Sequence, residues 1–512
     1  MRKFTLGFLL IFLCCNLMAQ DRVITGIVTD PSGKPLRDVS VVLKGTNAGT
    51  VTGADGSFLL TVPSTARTLV FSAINLRAQE VAIGTGNVVN ASLALSDQSL
   101  QEVVVTALGV RREKRSLGYS VSEVNAEDLT RVPNQNVINS LNGKVAGLQV
   151  IASGGAPGMA SRVVIRGGNK SFRPTGSDPL VVVDGIPISN VNDGNSNTVA
   201  GVATPNRAGD INPDDIESIS VLKGGAASVL YGSRGANGVM LITTKSGKNR
   251  GGKPAITFST TAGMDEALRL PHFQKTFAQG QLIGGVPTYA EGTSTSFGPR
   301  ITGQTVNSTG AGGPITLRVF DPRADFLRQG LTLNNNLSFS QSTDRGTYFL
   351  SVGHSAQTSI VPNQEYNKAN LRFNVSNNLT SKLTAGANIN YIKSWGDVPY
   401  TGQDGNNPIF GLFNMPVTWD INGYGFEYPD GSQKNFRGGA FDNPLWSVNR
   451  SFYNTSADRF IGNVNFGYQL SPWINVTYKF GGDLSTDYRK AFRDLKTGGS
   501  PNGFLSNDDV FR

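Results

Sequence analysis

The chain has 512 residues, 38% of them apolar and only 16% charged, with 61 glycines and 24 prolines. This excludes a disordered or coiled-coil chain and leaves room for about three domains. Lys and Arg outnumber Asp and Glu by 46 to 37, a net charge of +9, but the basic residues are scattered and form no run, which argues against a nucleic-acid partner. Two histidines, His272 and His354, exclude a His-rich metal centre, and nothing pairs two carboxylates for hydrolysis, so neither a cofactor nor an enzymatic activity is expected.

At the N-terminus Arg2 and Lys3 precede an apolar run from Phe8 to Cys15 and a small Ala19, the pattern of a signal peptide (1–19) cleaved after Ala19. The run is shorter than the roughly 20 residues that a membrane anchor needs. Cys14 and Cys15 lie within it, so the exported chain carries no thiol, and bulky Leu13 argues against lipidation. No later stretch reaches 18 apolar residues, so a membrane crossing has to be made by strands.

Residues 20–99 alternate short apolar runs with turn signals such as Thr29 to Pro35 and Asp55-Gly56, with a further run from Leu69 to Ile74, as in a small β-sandwich. The order GIVTDPSGKPLRDVSVVLKGTNAGTVTGADGSFLLTVP resembles a carboxypeptidase-regulatory-like domain, which implies seven strands and an accessory role without peptidase chemistry.

Residues 100–110, LQEVVVTALGV, form an apolar segment without proline, suited either to closing the preceding sandwich or to joining the sheet edge of a partner. Glu102, Val103, Val104, Val105, Thr106 and Ala107 resemble the energy-coupling box of a TonB-dependent outer-membrane receptor, which implies capture by the TonB–ExbB–ExbD complex through strand addition.

Residues 111–250 alternate short strands with glycine-rich loops. Strand Arg162 to Ile165 runs into Arg166, Gly167 and Gly168; Leu180 to Val183 ends in Asp184-Gly185, a tight-turn signal. Ile211 to Asp215 leads into the alternating run Ile216, Ser218, Ser220 and Leu222. Lys223, Gly224 and Gly225 open a short helix that Tyr231 and Gly232 close, before the strand Val239 to Thr243. Asp214, Asp215 and Glu217 read as solvated carboxylates at a helix start and strand edge; their order does not fit a calcium loop. The stretches LNGKVAGLQV, VVIRGG, PLVVVDGIPI and INPDDIESISVLKGGAASVLYGSRGANGVMLITTKSGK together resemble the plug domain of the SusC/RagA branch of that receptor family. The resemblance implies import of a glycan or peptide beneath a SusD-like surface lipoprotein.

Residues 251–512 change to long, evenly alternating strands. Leu333, Asn335, Leu337 and Phe339 share one face and Asn334, Asn336 and Ser338 the other; the pattern returns from Tyr348, Leu371, Leu383, Phe460 and Ile474. Such strands suit outer-membrane lipid on one side and a wet lumen on the other. Trp395 and Trp473 suit the membrane interface. The long segments Glu266 to Leu331 and Ser394 to Arg459 read as extracellular loops in which exposed Trp419, Tyr424, Tyr428 and Trp446 stack on cargo.

The expected fold is mainly β: a sandwich, an α/β plug and an incomplete transmembrane antiparallel barrel. About eight strands are countable, against about 22 in a plugged barrel. The final stretch reads as loop-like, without a terminal strand, and the chain as the N-terminal part of a longer receptor in the cell outer membrane. The expected function is energy-coupled nutrient import with plug remodelling. A secreted β-sandwich adhesin without transport is the alternative, and an extracellular glycan hydrolase a more distant one.

Overall fold

In the computed structural model, described residues are 21–46, 48–73, 76, 78–94, 103–105, 111–113, 121–130, 136–152, 156–167, 178–190, 200–202, 205–248, 252–398, 400–402, 404–498 and 503–511. Residues 1–19, expected to form a signal peptide, lie outside them. The chain divides into two units, Met1–Glu102 and Val103–Arg512.

The first unit contains β1 (Asp21–Thr29), β2 (Ser40–Leu43), β3 (Gly49–Val51), β4 (Ser57–Pro63), β5 (Thr68–Ser72), β6 (Gln79–Ala82) and β7 (Ala91–Ser92). They form two sheets, β4-β1-β7 and β3-β2-β5-β6. Strict alternation along β4 sends Phe58, Leu60 and Val62 into a core with Ile24, Val28, Val41, Leu69 and Phe71, the sandwich arrangement expected from the sequence. The run expected from Leu69 to Ile74 ends at Ser72 as a strand, and Ile74 lies outside the described residues.

The second unit opens with β8 (Val103–Val105), paired antiparallel with β9 (Arg111–Glu113). A central α/β domain follows, with β10 (Val121–Asn125), β11 (Leu148–Ala152), β12 (Ser161–Ile165), β13 (Leu180–Val183), β14 (Ile186–Ile188), β15 (Ala200–Val202), β16 (Ile216–Leu222) and β17 (Val239–Thr244). Its main sheet has the order β10-β16-β17-β13-β14, and β11 pairs with β12. Both faces of β16 and β17 are buried, one against Ile219, Val221, Met240 and Ile242 with the residues around Leu141, the other beneath Ala227 of the helix Gly225–Tyr231. The alternation seen along β16 therefore marks no solvent face: Ser218 and Ser220 are buried as well.

The rest of the unit is a wall. Its strands are β18 (Ala255–Asp265), β23 (Gly330–Ser342), β24 (Gly346–Thr358), β25 (Glu365–Asn378), β26 (Leu383–Asp397), β28 (Ser451–Ser471), β29 (Ile474–Arg493) and β30 (Phe504–Phe511). The intervening β19 (Gly280–Ile283), β20 (Val286–Tyr289), β21 (Thr305–Ser308), β22 (Gly313–Thr316) and β27 (Tyr400–Gly402) belong to the connections. The wall is one antiparallel sheet of eight strands, β18-β23-β24-β25-β26-β28-β29-β30, the number countable in the sequence. β30 corrects the expectation of a loop-like end: Phe504–Phe511 pairs along β29, from Arg493↔Phe504 to Thr486↔Phe511.

One end of the wall carries tight turns, at 343–345, 379–382 and Pro472-Trp473, and the other carries the long connections 266–329 and 398–450. Period-2 alternation sorts the side chains. Leu337, Val352, Leu371, Phe460, Phe466 and Phe480 are exposed on the outer face, whereas Asn336, Ser351, Asn370, Arg372, Asn374 and Arg459 are buried on the inner face against the central domain. The outer apolar band runs from Leu331 to Phe339 on β23 but from Phe460 to Leu470 on β28, although Asn335, His354, Ala369, Lys393 and Asp458 lie on one lateral row. The band thus crosses the lateral rows obliquely, as it must when strands tilt through a flat apolar layer.

Candidate functional site

The seam between central domain and wall is built mostly from buried polar groups, with Ile392 and Ile461 of the wall packed on the central domain's apolar core. Asp184 and Gly185 form the two-residue turn between β13 and β14, with φ of 49° and 87°, the left-handed pair that such a hairpin needs. The turn aims the Asp184 carboxylate at Thr244, whose N–H and Oγ1 donate to it at 3.0 and 2.7 Å. From the wall, Arg372 Nη1 donates to Thr244 Oγ1 at 3.0 Å and approaches Asp184 Oδ2 at 3.4 Å. Asn370 Nδ2 donates to Asp215 at 3.0 Å, Asn374 Nδ2 to the Lys245 carbonyl at 2.8 Å, and Lys479 Nζ to the Asp184 carbonyl at 2.8 Å.

A second cluster sits nearer the long-connection end. Arg459 of β28 grips Asp483 of β29 with two hydrogen bonds of 2.7 Å, and the same guanidinium reaches the Ser189 carbonyl at 3.0 Å and Asp210 at 3.4 Å in the central domain. Arg207 pairs with Asp210 at 3.2 Å and also with Asp487 of the wall. Burial alone would lower the affinity of Arg207 for its proton, but Asp210, Tyr366 and Asp487 more than offset it and hold the pKa above the ordinary value. Between the clusters Asn212 Nδ2 donates to Asn336 at 3.0 Å and Asn370 at 3.2 Å.

The acidic triplet corrects the sequence reading. Asp215 is fully buried on the Arg372 guanidinium rather than solvated, while Asp214 is half-buried. Burial pushes the Asp215 carboxyl up, and the neighbouring Arg372 pulls it back. Among the described residues no group of acidic or histidine side chains could hold a metal ion.

The remaining motif residues shape the chain. Arg166 and Gly167 have φ of 51° and 81°, and the Arg166 N–H donates to the Gly147 carbonyl at 2.8 Å, which ties two glycine motifs together. Gly168 lies outside the described residues. Lys223 is buried, donates to Ser122 Oγ at 2.6 Å, and is pushed below the usual lysine value by burial and by Arg166. Gly224 and Gly232 bracket the helix Gly225–Tyr231 with φ of 66° and 63°. Of the six residues that resemble a coupling box, Glu102, Thr106 and Ala107 lie outside the described residues, whereas Val103, Val104 and Val105 form β8, a short strand already held on one edge by β9.

The loop aromatics divide. Trp446 is fully buried and Trp419 is 2% exposed, so neither offers the exposed face expected of it. Trp419 instead packs with Phe326, Leu412, Met415, Ile421 and Phe436 as the core of a folded loop layer, and Trp446 Nε1 donates to Thr497 Oγ1 at 3.2 Å. Rings of 150–250 Å² are the largest apolar surfaces that a polar loop contains, so they collect inside it. Tyr424 stands edge-on to Trp419 at 5.3 Å, and the Tyr428 hydroxyl donates to the Gly310 carbonyl at 3.0 Å; both tyrosines are half-buried. Trp419→Ala is expected to cost about 3–5 kcal/mol, read as faster proteolysis of the loop layer.

Asp442 in this layer accepts from Gln433 Nε2 at 2.7 Å and from the Gly498 N–H at 2.6 Å, but burial outweighs both and pushes its pKa up to about 6. The unfolded chain releases that proton near pH 4, so the folded layer holds more protons between the two values. The stability that this carboxyl contributes is therefore fully present below about pH 4 and is lost as pH rises through about 6. Urea titrations followed by limited proteolysis are expected to show this slope, and Asp442→Asn to flatten it.

Between the central domain and the long-connection end of the wall lies a cavity of about 540 Å³. Asn136, Asn139, Asn142 and Asn206 line it together with apolar Val150, Met159 and Ile360, and Asp265 and Glu266 are its exposed acidic residues. Gly158 meets the wall here so closely that a Cβ would lie 2.5 Å from the Tyr366 ring.

Residues 113–239 match the TonB-dependent Receptor Plug Domain and residues 24–105 the CarboxypepD_reg-like domain. TonB-dependent receptor P39 of Formosa agariphila is 32% identical over 393 residues, 77% of this chain and 34% of that protein. TonB-dependent receptor P26 of the same organism is 30% identical over 494 residues, 95% of the chain and 45% of the relative. TonB-dependent receptor SusC of Bacteroides thetaiotaomicron is 28% identical over 498 residues, 93% and 46% of the two chains. The chain thus spans less than half the length of these relatives. The RagAB peptide importer in its open-open state superposes with a TM-score of 0.57 at 21% identity, over 77% of this chain and 43% of that one, a likeness of fold.

Proposed function

The chain is a relative of the SusC-type TonB-dependent receptors that carries their plug domain, and from that premise we propose that it is the N-terminal part of an energy-coupled importer of a nutrient, an oligosaccharide or a peptide, in the cell outer membrane. The observation that carries this reading is the two-faced wall: exposed Leu, Val and Phe outside, as lipid requires, and buried amides and charges inside, where the plug sits. A secreted adhesin has no use for the outer face. Trp395 and Trp473 lie toward opposite ends of the band, and the 82% exposure of Trp473 suits a headgroup layer.

In this reading the eight strands are the first part of a closed barrel, since β18 and β30 leave open edges that cannot stand in lipid. The TonB–ExbB–ExbD complex captures Val103–Val105 along the strand edge that β9 does not occupy, and a pull on it shifts the plug toward a displaced state. A SusD-like lipoprotein closes the cavity from outside, over the loop layer.

Replacing Val103 and Val105 together by Pro in the full-length receptor removes backbone donors that strand addition uses. Uptake is expected to fall to the level of cells without the receptor while its amount in the outer membrane stays unchanged. Unaltered uptake would overturn the assignment of the box.

A further inference from the structure

The cavity above the plug has a one-sided chemistry. Its lining sets amides among apolar Val150, Ala152, Met159 and Ile360, and the amides are fixed by one another: Asn136 Nδ2 donates to Asn206 Oδ1 at 2.9 Å, and Asn206 Nδ2 to Asn190 Oδ1 at 3.3 Å. Such a net holds the amide planes still before any ligand arrives, so little side-chain freedom is lost on binding. Asn142 is exposed at the cavity and keeps both its donor and its acceptor open.

The charges are all of one sign. Asp210, Asp265 and Glu266 line the cavity, and no Lys or Arg side chain does among the described residues. Asp210 is already matched from behind by Arg207 and Arg459. That leaves Asp265 and Glu266, both exposed at the rim, as the uncompensated charge. An anionic ligand approaching this side meets two carboxylates and no cation among the described residues, and like charges repel. A cationic ligand finds charge at the rim but none left on the floor. What suits amides that both donate and accept, with acidic acceptors at the mouth, is an uncharged ligand rich in hydroxyls.

We infer that this wall selects neutral oligosaccharides and rejects acidic ones. The inference rests on the import reading above and narrows it. Selectivity comes from Asp265 and Glu266 as repulsive elements as much as from the amides as attractive ones.

The test uses cells bearing the full-length receptor and two probes: a mixture of short neutral oligosaccharides, and the same mixture after carboxymethylation. Depletion of each from the medium is followed by mass spectrometry, with and without a protonophore. The neutral mixture is expected to be taken up at least about tenfold faster, the ratio given by about 1.4 kcal/mol of discrimination. In the Asp265→Lys, Glu266→Lys double variant the ratio is expected to shrink toward one. Equal or faster uptake of the carboxymethylated mixture overturns the inference, as does a ratio that the double variant leaves unchanged. If neither mixture is depleted but a tryptic peptide mixture is, in a protonophore-sensitive way, the sugar assignment falls and the import reading stands. If nothing is depleted from any mixture, the import reading falls with it.

Discussion

Arg459→Ala in the full-length receptor is expected to loosen the plug by about 3–5 kcal/mol, the cost of removing one partner from a buried ion pair. The arginine side chain is 1% exposed and serves Asp483 and Asp210 at once, so its loss strands the buried Asp483 carboxylate and leaves Asp210 to Arg207 alone. It also removes the donor to the Ser189 carbonyl, a link from wall to plug that is not ionic. The measurement is the urea concentration at which protease first cuts the plug, together with outer-membrane permeability to large antibiotics. Arg459→Lys keeps the charge but not the two-pronged grip on Asp483, so it should recover part of the loss. Converting Arg459 to Met and Asp210 and Asp483 to Asn together should cost far less than Arg459→Ala, because no charge is left alone. A plug as resistant in Arg459→Ala as in the natural protein would show that the seam is held elsewhere.

Gly247→Val is expected to act at assembly. Gly247 has φ of +77°, and a Cβ there would lie 2.1 Å from the Tyr348 carbonyl oxygen. Both the left-handed backbone and the clash with main chain oppose any side chain, and a β-branched one most of all. A loss of about 3 kcal/mol or more follows. The position matters because the chain leaves the plug here to enter the wall: Asn374 already holds the Lys245 carbonyl, and Lys245 N–H donates to the Asp215 carbonyl at 2.9 Å. The readout is the amount of heat-modifiable receptor in the outer membrane. Gly252→Ala is the control: φ is +67°, but the nearest atom to its Cβ would be 3.7 Å away, so only the left-handed backbone cost of about 1–2 kcal/mol applies. Equal amounts of Gly247→Val and natural receptor would refute the argument.

Much of this fold is legible in the sequence because period-2 alternation is a local signal. The faces of β23, with Leu337 on one and Asn336 on the other, lie where the alternation puts them. The Asp184-Gly185 turn and the helix ended by Gly232 are likewise local events, set by left-handed backbone that glycine tolerates. What the sequence hides is partnership at long range. Asp215 reads as a surface carboxylate because Arg372, which buries it, stands far away in the chain, and nothing near Asp215 announces that it faces a wall. Trp419 and Trp446 read as exposed for the same reason: a loop layer with its own core has no repeat to reveal it. The last strand is missed because FLSNDDVF is too polar for a lipid-facing run, and it gains strand geometry from the register that β29 imposes. The floor of asparagines has no spacing in common, since Asn136 and Asn206 are brought together by the fold alone.

The polar seam has a consequence for motion. Apart from Ile392 and Ile461, its two surfaces end mostly in amides, hydroxyls and charges, so water can take over those bonds as the surfaces part, and the net cost of exchanging one such hydrogen bond is only about 1 kcal/mol. A greasy seam would resist at every step, because each newly bared patch would be driven back together. Here the resistance is concentrated at the beginning, while the charges are buried and feel one another strongly. Once the first waters enter, they lubricate what remains. A plug held by buried charges of this kind is firm until an edge is opened to solvent and yields more easily afterwards. A steady pull from one end of the chain is the kind of force that wets an edge first.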